Sequence, residues 1–257
     1  MANIITFTNQ KGGVGKTSLA MNFGVRLQMS GARVLMVDMD PQCSLTYIMD
    51  VDDPEYTVYD VLQQQVPAAS AVVHAAECDL LAASPGLSTL DMNVTGSGRE
   101  FLLKNALDTV ADRYDFIVID SPPTLGLLTI NILSAANHVI IPALADVFSL
   151  QGIGQLYSTI ETVRTHCNPG LEIAGIVLSR HTDRILLSRE MKSMIEDTAG
   201  QIGTSVFQAA IRESVAVREA QAMRQSLFKY APRSKQTADY DAFIVEYLHR
   251  CGYTTAE

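Results

Sequence analysis

The stretch Lys11-Gly12-Gly13-Val14-Gly15-Lys16-Thr17-Ser18 decides the reading of this 257-residue chain. It follows a short apolar run, Ile4 to Thr8, and opens a helix-like segment, Lys16 to Met29. A glycine-rich loop between strand and helix is the setting in which successive backbone N–H groups and a helix N-terminus surround a phosphate. Glycine permits the positive-φ conformations and the close backbone approach that such a loop needs. Lys16 is then placed to reach the β- and γ-phosphates of a nucleotide, and the Thr17 hydroxyl to ligate Mg2+. Gly12, Gly13, Val14, Gly15 and Ser18 complete the expected nucleotide-binding loop.

Outward from this loop, short runs rich in Val and Ile recur at Val34 to Asp38, Leu80 to Ala83, Phe116 to Asp120, His138 to Pro142 and Glu172 to Leu178. Continuous apolar runs of this length predict strands buried on both faces. Between them lie helix-like stretches at Arg99 to Ala111, Gln151 to Thr165, Leu187 to Ala199 and Asp239 to Arg250. The alternation predicts an α/β fold, a doubly wound and mostly parallel sheet with helices on both faces. No repeat or linker divides the chain, so one domain spans residues 1–257. The stretch Asp50 to Ala76, with Pro54 and Pro67, is expected to be a short helix-and-loop excursion at the sheet edge.

Apolar residues make up 47% of the chain and charged residues 18%, enough to form a large core and too few charges for general disorder. No apolar run approaches the ~20 residues that span a bilayer as a helix. Met1 leads straight into Ile4, Ile5 and Phe7, which predicts no secretory signal and no room for an N-terminal helix-turn-helix domain. Cys43, Cys78, Cys167 and Cys251 are scattered without a CxxC pair, the pattern of free thiols in a reducing compartment. The net charge of −9 argues against general attraction to nucleic acid or to anionic membranes. Arg212 to Lys235 is the exception, at net +4, leaving −13 for the remainder.

Two further strands end in acid. Val37-Asp38-Met39-Asp40-Pro41-Gln42 carries two carboxylates at a strand C-terminus, where α/β folds place ligand chemistry. A helix-capping role for either Asp stands beside that reading. Phe116-Ile117-Val118-Ile119-Asp120-Ser121-Pro122-Pro123 has the form of a Walker B strand. Asp120 is expected to accept hydrogen bonds from water bound to Mg2+, an ion that keeps several of its waters.

Lys11 stands at a position where the usual loop has no lysine, and this variant resembles the deviant Walker A motif of the ParA/MinD ATPases. The resemblance runs from Lys11 to the C-terminus, including Pro142 to Gly152 and Ile211 to Ala220. It implies a P-loop NTPase that binds ATP with Mg2+ and hydrolyses it. Lys11, Lys16 and Asp40 would be the catalytic residues, with Lys11 reaching a dimer partner's nucleotide and Asp40 positioning the attacking water. Thr17, Asp38 and Asp120 would hold the cation and its water shell. Ser121, Pro122 and Pro123, continuing to Thr124, look like the family's second switch. Ile211 and Arg212 align with the segment bordering the adenine base, although the family often has Pro where Ile211 stands.

Tyr230-Ala231-Pro232-Arg233-Ser234-Lys235 and the helix after it look most like the ParA/Soj branch. The tail from Leu248 is too short, polar and acidic for the amphipathic membrane helix of the MinD kind. For the ParA/Soj branch the resemblance implies an ATP-dependent homodimer that binds DNA non-specifically through a basic surface. The candidates here are Arg184, Arg189, Lys192, Arg212, Arg218, Arg224, Lys229, Arg233 and Lys235, each weighed against an ordinary solvated face. A cargo-bound, ParB-like activator would stimulate hydrolysis and drive chromosome or plasmid partition in a cytoplasmic, nucleoid-associated protein. Alternatives are positioning of protein cargo such as chemoreceptor clusters or carboxysomes, a metabolic P-loop enzyme, and a nucleotide serving only as dimer glue.

Overall fold

Every one of the expected apolar runs forms a strand in the computed structural model, which describes residues 2–181 and 186–253. The strands are β1 (Asn3–Phe7), β2 (Val34–Asp38), β3 (Val72–His74), β4 (Asp79–Leu81), β5 (Phe116–Asp120), β6 (His138–Ala143), β7 (Glu172–His181) and β8 (Ile211–Arg212). They make one sheet in the order β3-β4-β2-β5-β1-β6-β7-β8, parallel apart from the antiparallel β3–β4 pair at one edge. The chain runs from β1 towards the β2 side, then crosses back to place β6 on the other flank of β1. Ligands in open α/β sheets bind at such a reversal, beyond the strand C-termini. Register aligns Phe7 with Asp120 and Asp120 with Asp38, so two carboxylates stand side by side at that edge.

The helices are α1 (Lys16–Met29), α2 (Ser44–Ile48), α3 (Val58–Leu62), α4 (Ala68–Ala71), α5 (Leu90–Asn93), α6 (Leu102–Asp108), α7 (Leu127–Ala135), α8 (Val147–His166), α9 (Leu186–Gln201), α10 (Val215–Ala222), α11 (Leu227–Tyr230) and α12 (Lys235–Arg250). Alternation along the strands divides the core in two. Ile4, Leu35, Val37, Ile117 and Ile119 pack with Leu103, Ile132 and Leu156 from α6, α7 and α8. Ile5, Phe7, Met36 and Val118 pack with Phe23 of α1 and Phe243 and Tyr247 of α12. On that second face the rings meet edge to face, Phe7 with Phe23 at 5.3 Å and Phe23 with Tyr247 at 5.1 Å between centroids. The close seat of α1 on β2 depends on Gly24, where an added Cβ would lie 2.1 Å from Met36 Sδ.

The structure departs from the sequence expectations in a few places. Asp50 to Ala76 contains α3, opened by a Thr57/Asp60 capping box, then α4 and the whole edge strand β3. The helix expected from Arg99 begins as a 3-10 turn, and its α-helical part is Leu102–Asp108. Helix α7 escaped notice because it is apolar nearly all round and so lacks the one-sided pattern of a surface helix. Among the described residues, no helix is long and apolar enough to cross a membrane, and no cluster of three His, Cys, Asp or Glu could hold a metal. All four cysteines are free thiols.

Candidate nucleotide-binding site

The loop from Lys11 to Gly15 connects β1 to α1 at the reversal point. Gly13 and Gly15 have φ of 72° and 88°, the left-handed region that disfavours any residue with a Cβ. Two side chains hold the loop from outside. Asn9 donates from Nδ2 to the Pro142 carbonyl at 2.6 Å and accepts the Lys11 N–H at 2.9 Å. Ser179 Oγ donates to the Val14 carbonyl at 2.6 Å, tying the loop to β7. The loop is thus fixed in shape before any ligand arrives, the condition for electrostatic recognition without a reorganisation cost.

Lys16 opens α1 with its side chain buried and its Nζ 3.2 Å from the Lys11 carbonyl. Burial lowers its pKa, while Asp120 and Asp40 pull the other way. Lys11 points elsewhere: its Nζ is 2.5 Å from Asp146 Oδ2 and 5.7 Å from the centre of the Phe148 ring. Asp146 also caps α8 through Ser149 N–H at 2.9 Å, so the lysine is moored to a fixed helix end.

Beneath the loop, the three acids differ in what they touch. Asp120 is fully buried, and neither of its carboxylate oxygens has a hydrogen-bond partner among the described residues. Burial first, then the neighbouring Asp38, drives its pKa well up, and the adjacent Thr17 hydroxyl and Lys16 only partly oppose this. Asp38 is equally buried but fully engaged. Its Oδ2 accepts the Thr46 N–H and hydroxyl, both at 2.8 Å, and its Oδ1 accepts the Asp40 N–H at 3.1 Å. It therefore anchors α2 and the Asp40 turn, while burial still raises its pKa to about 6. Asp40 accepts the Gln42 N–H at 3.0 Å and lines a cleft of about 730 Å3.

That cleft is walled by Gly12, Gly13, Gly15 to Ser18, Asp40, Tyr47 of α2, Pro123, Arg180 and Gln221 of α10. A smaller pocket continues from it, sharing Gly15, Ser18, Arg180 and Gln221 and adding Ile211, Arg212 and Glu213. The two together give a phosphate-loop end and a β8 end. Gln221 Nε2 donates to Ser18 Oγ at 2.7 Å where they join. Ile211 lines the β8 end, whereas the Arg212 guanidinium is forked onto Asp239 at 2.6 and 2.7 Å. Ser121, expected in the second switch, donates to the Phe7 carbonyl at 2.8 Å, and Pro123 faces the cleft.

The sequence matches the family described as AAA domain over residues 2–173. It is 36% identical to the sporulation initiation inhibitor protein Soj of Bacillus subtilis, over 93% of this chain and 96% of Soj. The chromosome partitioning protein ParA of Myxococcus xanthus is 34% identical, over 97% of this chain and 89% of that one. This chain belongs to the ParA/MinD family. Among solved structures, a Mycobacterium smegmatis protein named cobyrinic acid a,c-diamide synthase, with bound ADP and magnesium, is similar at 32% identity and a TM-score of 0.77. That likeness covers 92% of this ParA/MinD-family chain and 98% of the other.

The structure separates the basic candidates on this family member. Arg189, Arg218, Lys229, Arg233 and Lys235 are exposed. Lys192 is half-buried, with Glu196 at 3.9 Å. Arg224 is committed to Asp50 and Asp52, at 2.9 and 2.8 Å. Arg184 lies outside the described residues. Tyr47, Asp146, Ser179, Arg180 and Gln221 escaped sequence reasoning. Only Arg180, a charge at the C-terminal end of β7, carried a signal, since strand ends host ligand groups.

Proposed function

We propose that this chain is a Mg2+-dependent ATPase that closes into an ATP-dependent dimer, binds DNA non-specifically in that state and drives partition of chromosome or plasmid DNA. The observation that carries the reading is the pair of lysines on one preformed loop, Lys16 buried against it and Lys11 moored at its outer edge. The first suits the phosphates of the chain's own nucleotide. The second is positioned to leave Asp146 for a phosphate across a dimer.

A divalent cation fits the residues present. A buried carboxylate without partners is costly, and Asp120, with the Thr17 hydroxyl beside it, offers the oxygen donors a hard cation and its waters take. Such a cation would offset phosphate charge. Asp38, saturated by Thr46 and the Asp40 N–H, supports this arrangement from behind by fixing the turn that carries Asp40. Asp40, facing the cleft, would position the attacking water for in-line displacement, and Lys16 would stabilise the charge that develops. Exposed Arg218, Lys229, Arg233 and Lys235 supply the DNA surface. The relatives named for chromosome partitioning support this role over protein cargo, with a cargo-bound activator as partner in the cytoplasm at the nucleoid.

The test is binding to non-specific duplex DNA with ADP, with ATP, and with ATP after Arg218→Ala/Lys235→Ala, across a salt series. Binding should require ATP and weaken steeply with salt, and the double variant should flatten the slope by about two phosphate contacts. Nucleotide turnover without DNA binding in any state would refute the partition reading. It would favour a metabolic enzyme, a reading supported by the similar structure named as a synthase.

A further inference from the structure

We propose that Arg224 is a latch across the mouth of the nucleotide cleft that sets how long nucleotide stays bound, and not a DNA contact. The inference rests on the nucleotide reading above. The cleft mouth lies between α2, which contributes Tyr47 and Ile48, and the end of α10, which contributes Gln221 and Ala222. Arg224 follows α10 by two residues and reaches across to the α2 side. Its Nε donates to the Tyr47 carbonyl at 2.9 Å, and Nη1 and Nη2 fork onto Asp52 at 2.9 and 2.8 Å. Asp50 Oδ1 stands 2.9 Å from Nε, and the guanidinium lies over the Tyr47 ring at 4.8 Å.

Two observations mark this as more than a surface pair. Tyr47 is half exposed yet forms the cleft wall, so nothing in the core holds its ring in place. Arg224 holds both its carbonyl and its ring face. Both ends of the bridge also stand just past helix C-termini, Arg224 after α10 at φ 55° and Asp50 after α2 at φ 60°, left-handed capping positions closed by the Gln225 N–H on the Ala220 carbonyl at 3.0 Å and the Val51 N–H on the Thr46 carbonyl at 3.3 Å. The bridge therefore joins two fixed helix ends. Its forked geometry is directional, because a planar guanidinium meets a carboxylate along two parallel bonds. Widening the mouth moves Tyr47 away from Gln221 and has to break that fork. With two carboxylates on it, the same guanidinium has little positive field left for a phosphate backbone.

The experiment is stopped-flow release of a fluorescent ADP analogue from the full chain. Arg224→Ala should release it ~10-fold faster, since changes at an interface act mainly through the off-rate. Asp52→Asn should do the same more weakly. The double variant should be no faster than Arg224→Ala alone, the non-additivity expected of residues acting as one unit. Arg224→Lys, which keeps the charge but not the fork, should fall between. Release within twofold of wild type in Arg224→Ala, or in Asp52→Asn should the first variant fail to fold, overturns the latch. So do strictly additive effects. A DNA-binding salt slope unchanged in Arg224→Ala supports the assignment, and a slope reduced by about one overturns it. If the wild-type chain does not bind the analogue, the nucleotide reading has failed and not the latch alone.

Discussion

The two ends of the cleft are built on opposite electrostatic plans. At the phosphate end, charged groups are buried and left partly unpartnered: Asp120 has both oxygens unsatisfied, and Lys16 has one carbonyl contact. At the other end Arg212 is neutralised by Asp239, and at the mouth between α2 and α10 Arg224 is neutralised by Asp50 and Asp52. An unsatisfied buried charge stores an interaction for a ligand to complete, whereas a forked ion pair has already spent its charge on shape. In a chain of net charge −9, an arginine's formal charge says little about its field until its carboxylates are found.

Lys16→Ala should break this contrast most severely. It removes the buried cation that the phosphate end is built around, and turnover should drop by ~10²–10³, as for loss of a preorganised donor to transition-state charge. A steady-state ATPase assay checks this. Turnover within a few-fold of wild type would mean that the phosphate end is not the reacting end.

Asp120→Asn should separate function from stability. Turnover should fall steeply, while the nucleotide-free protein gains about 1 kcal/mol in urea unfolding, in the usual range for relaxing a strained functional site. A loss of stability would show that Asp120 is satisfied in a way its contacts do not reveal.

The phosphate end was legible because its chemistry is local in sequence. Eight consecutive residues specify the loop, and the apolar runs alone place Asp38 and Asp120 at strand C-termini, which the sheet then brings side by side. The sheet was legible for the same reason: its strands are continuous apolar runs. What escaped depends on contacts between distant segments. Asp146 meets Lys11 across 135 positions, and Arg224 meets Asp52 across 172. No local pattern announces either pair. Asp38 shows the limit within a motif: its position was readable, and its commitment to Thr46 was not, because that depends on the short α2 turning back over the strand end.

That commitment makes a pH prediction. Burial raises the Asp38 pKa from the ordinary 3.8 to about 6, so the folded state prefers the neutral acid. Its contribution to stability is complete below pH 3.8 and is lost as pH rises through about 6. The cost of Asp38→Asn should therefore shrink between pH 4 and pH 7, by as much as ~3 kcal/mol if the whole shift is expressed. Urea unfolding of both proteins across that range measures it. A pH-independent difference would mean that the Thr46 hydrogen bonds outweigh burial and keep Asp38 ionised throughout.

The smallest effect tests whether the α2 entrance is strained in itself. Cys43 occupies φ 56° at the N-cap of α2, a left-handed position that glycine takes without penalty. Cys43→Gly removes the steric cost but adds backbone freedom to the unfolded chain, so the two terms nearly cancel against wild type. Cys43→Ala keeps the steric cost and, like the glycine variant, gives up the thiol. The comparison that isolates the backbone is therefore glycine against alanine, with glycine more stable by only ~0.5 kcal/mol because the unfolded-chain entropy offsets most of the steric gain. Alanine more stable than glycine would mean that the turn after Asp40 relaxes out of the left-handed region. The tie from Asp38 to Thr46 would then set the shape of the cleft wall by itself.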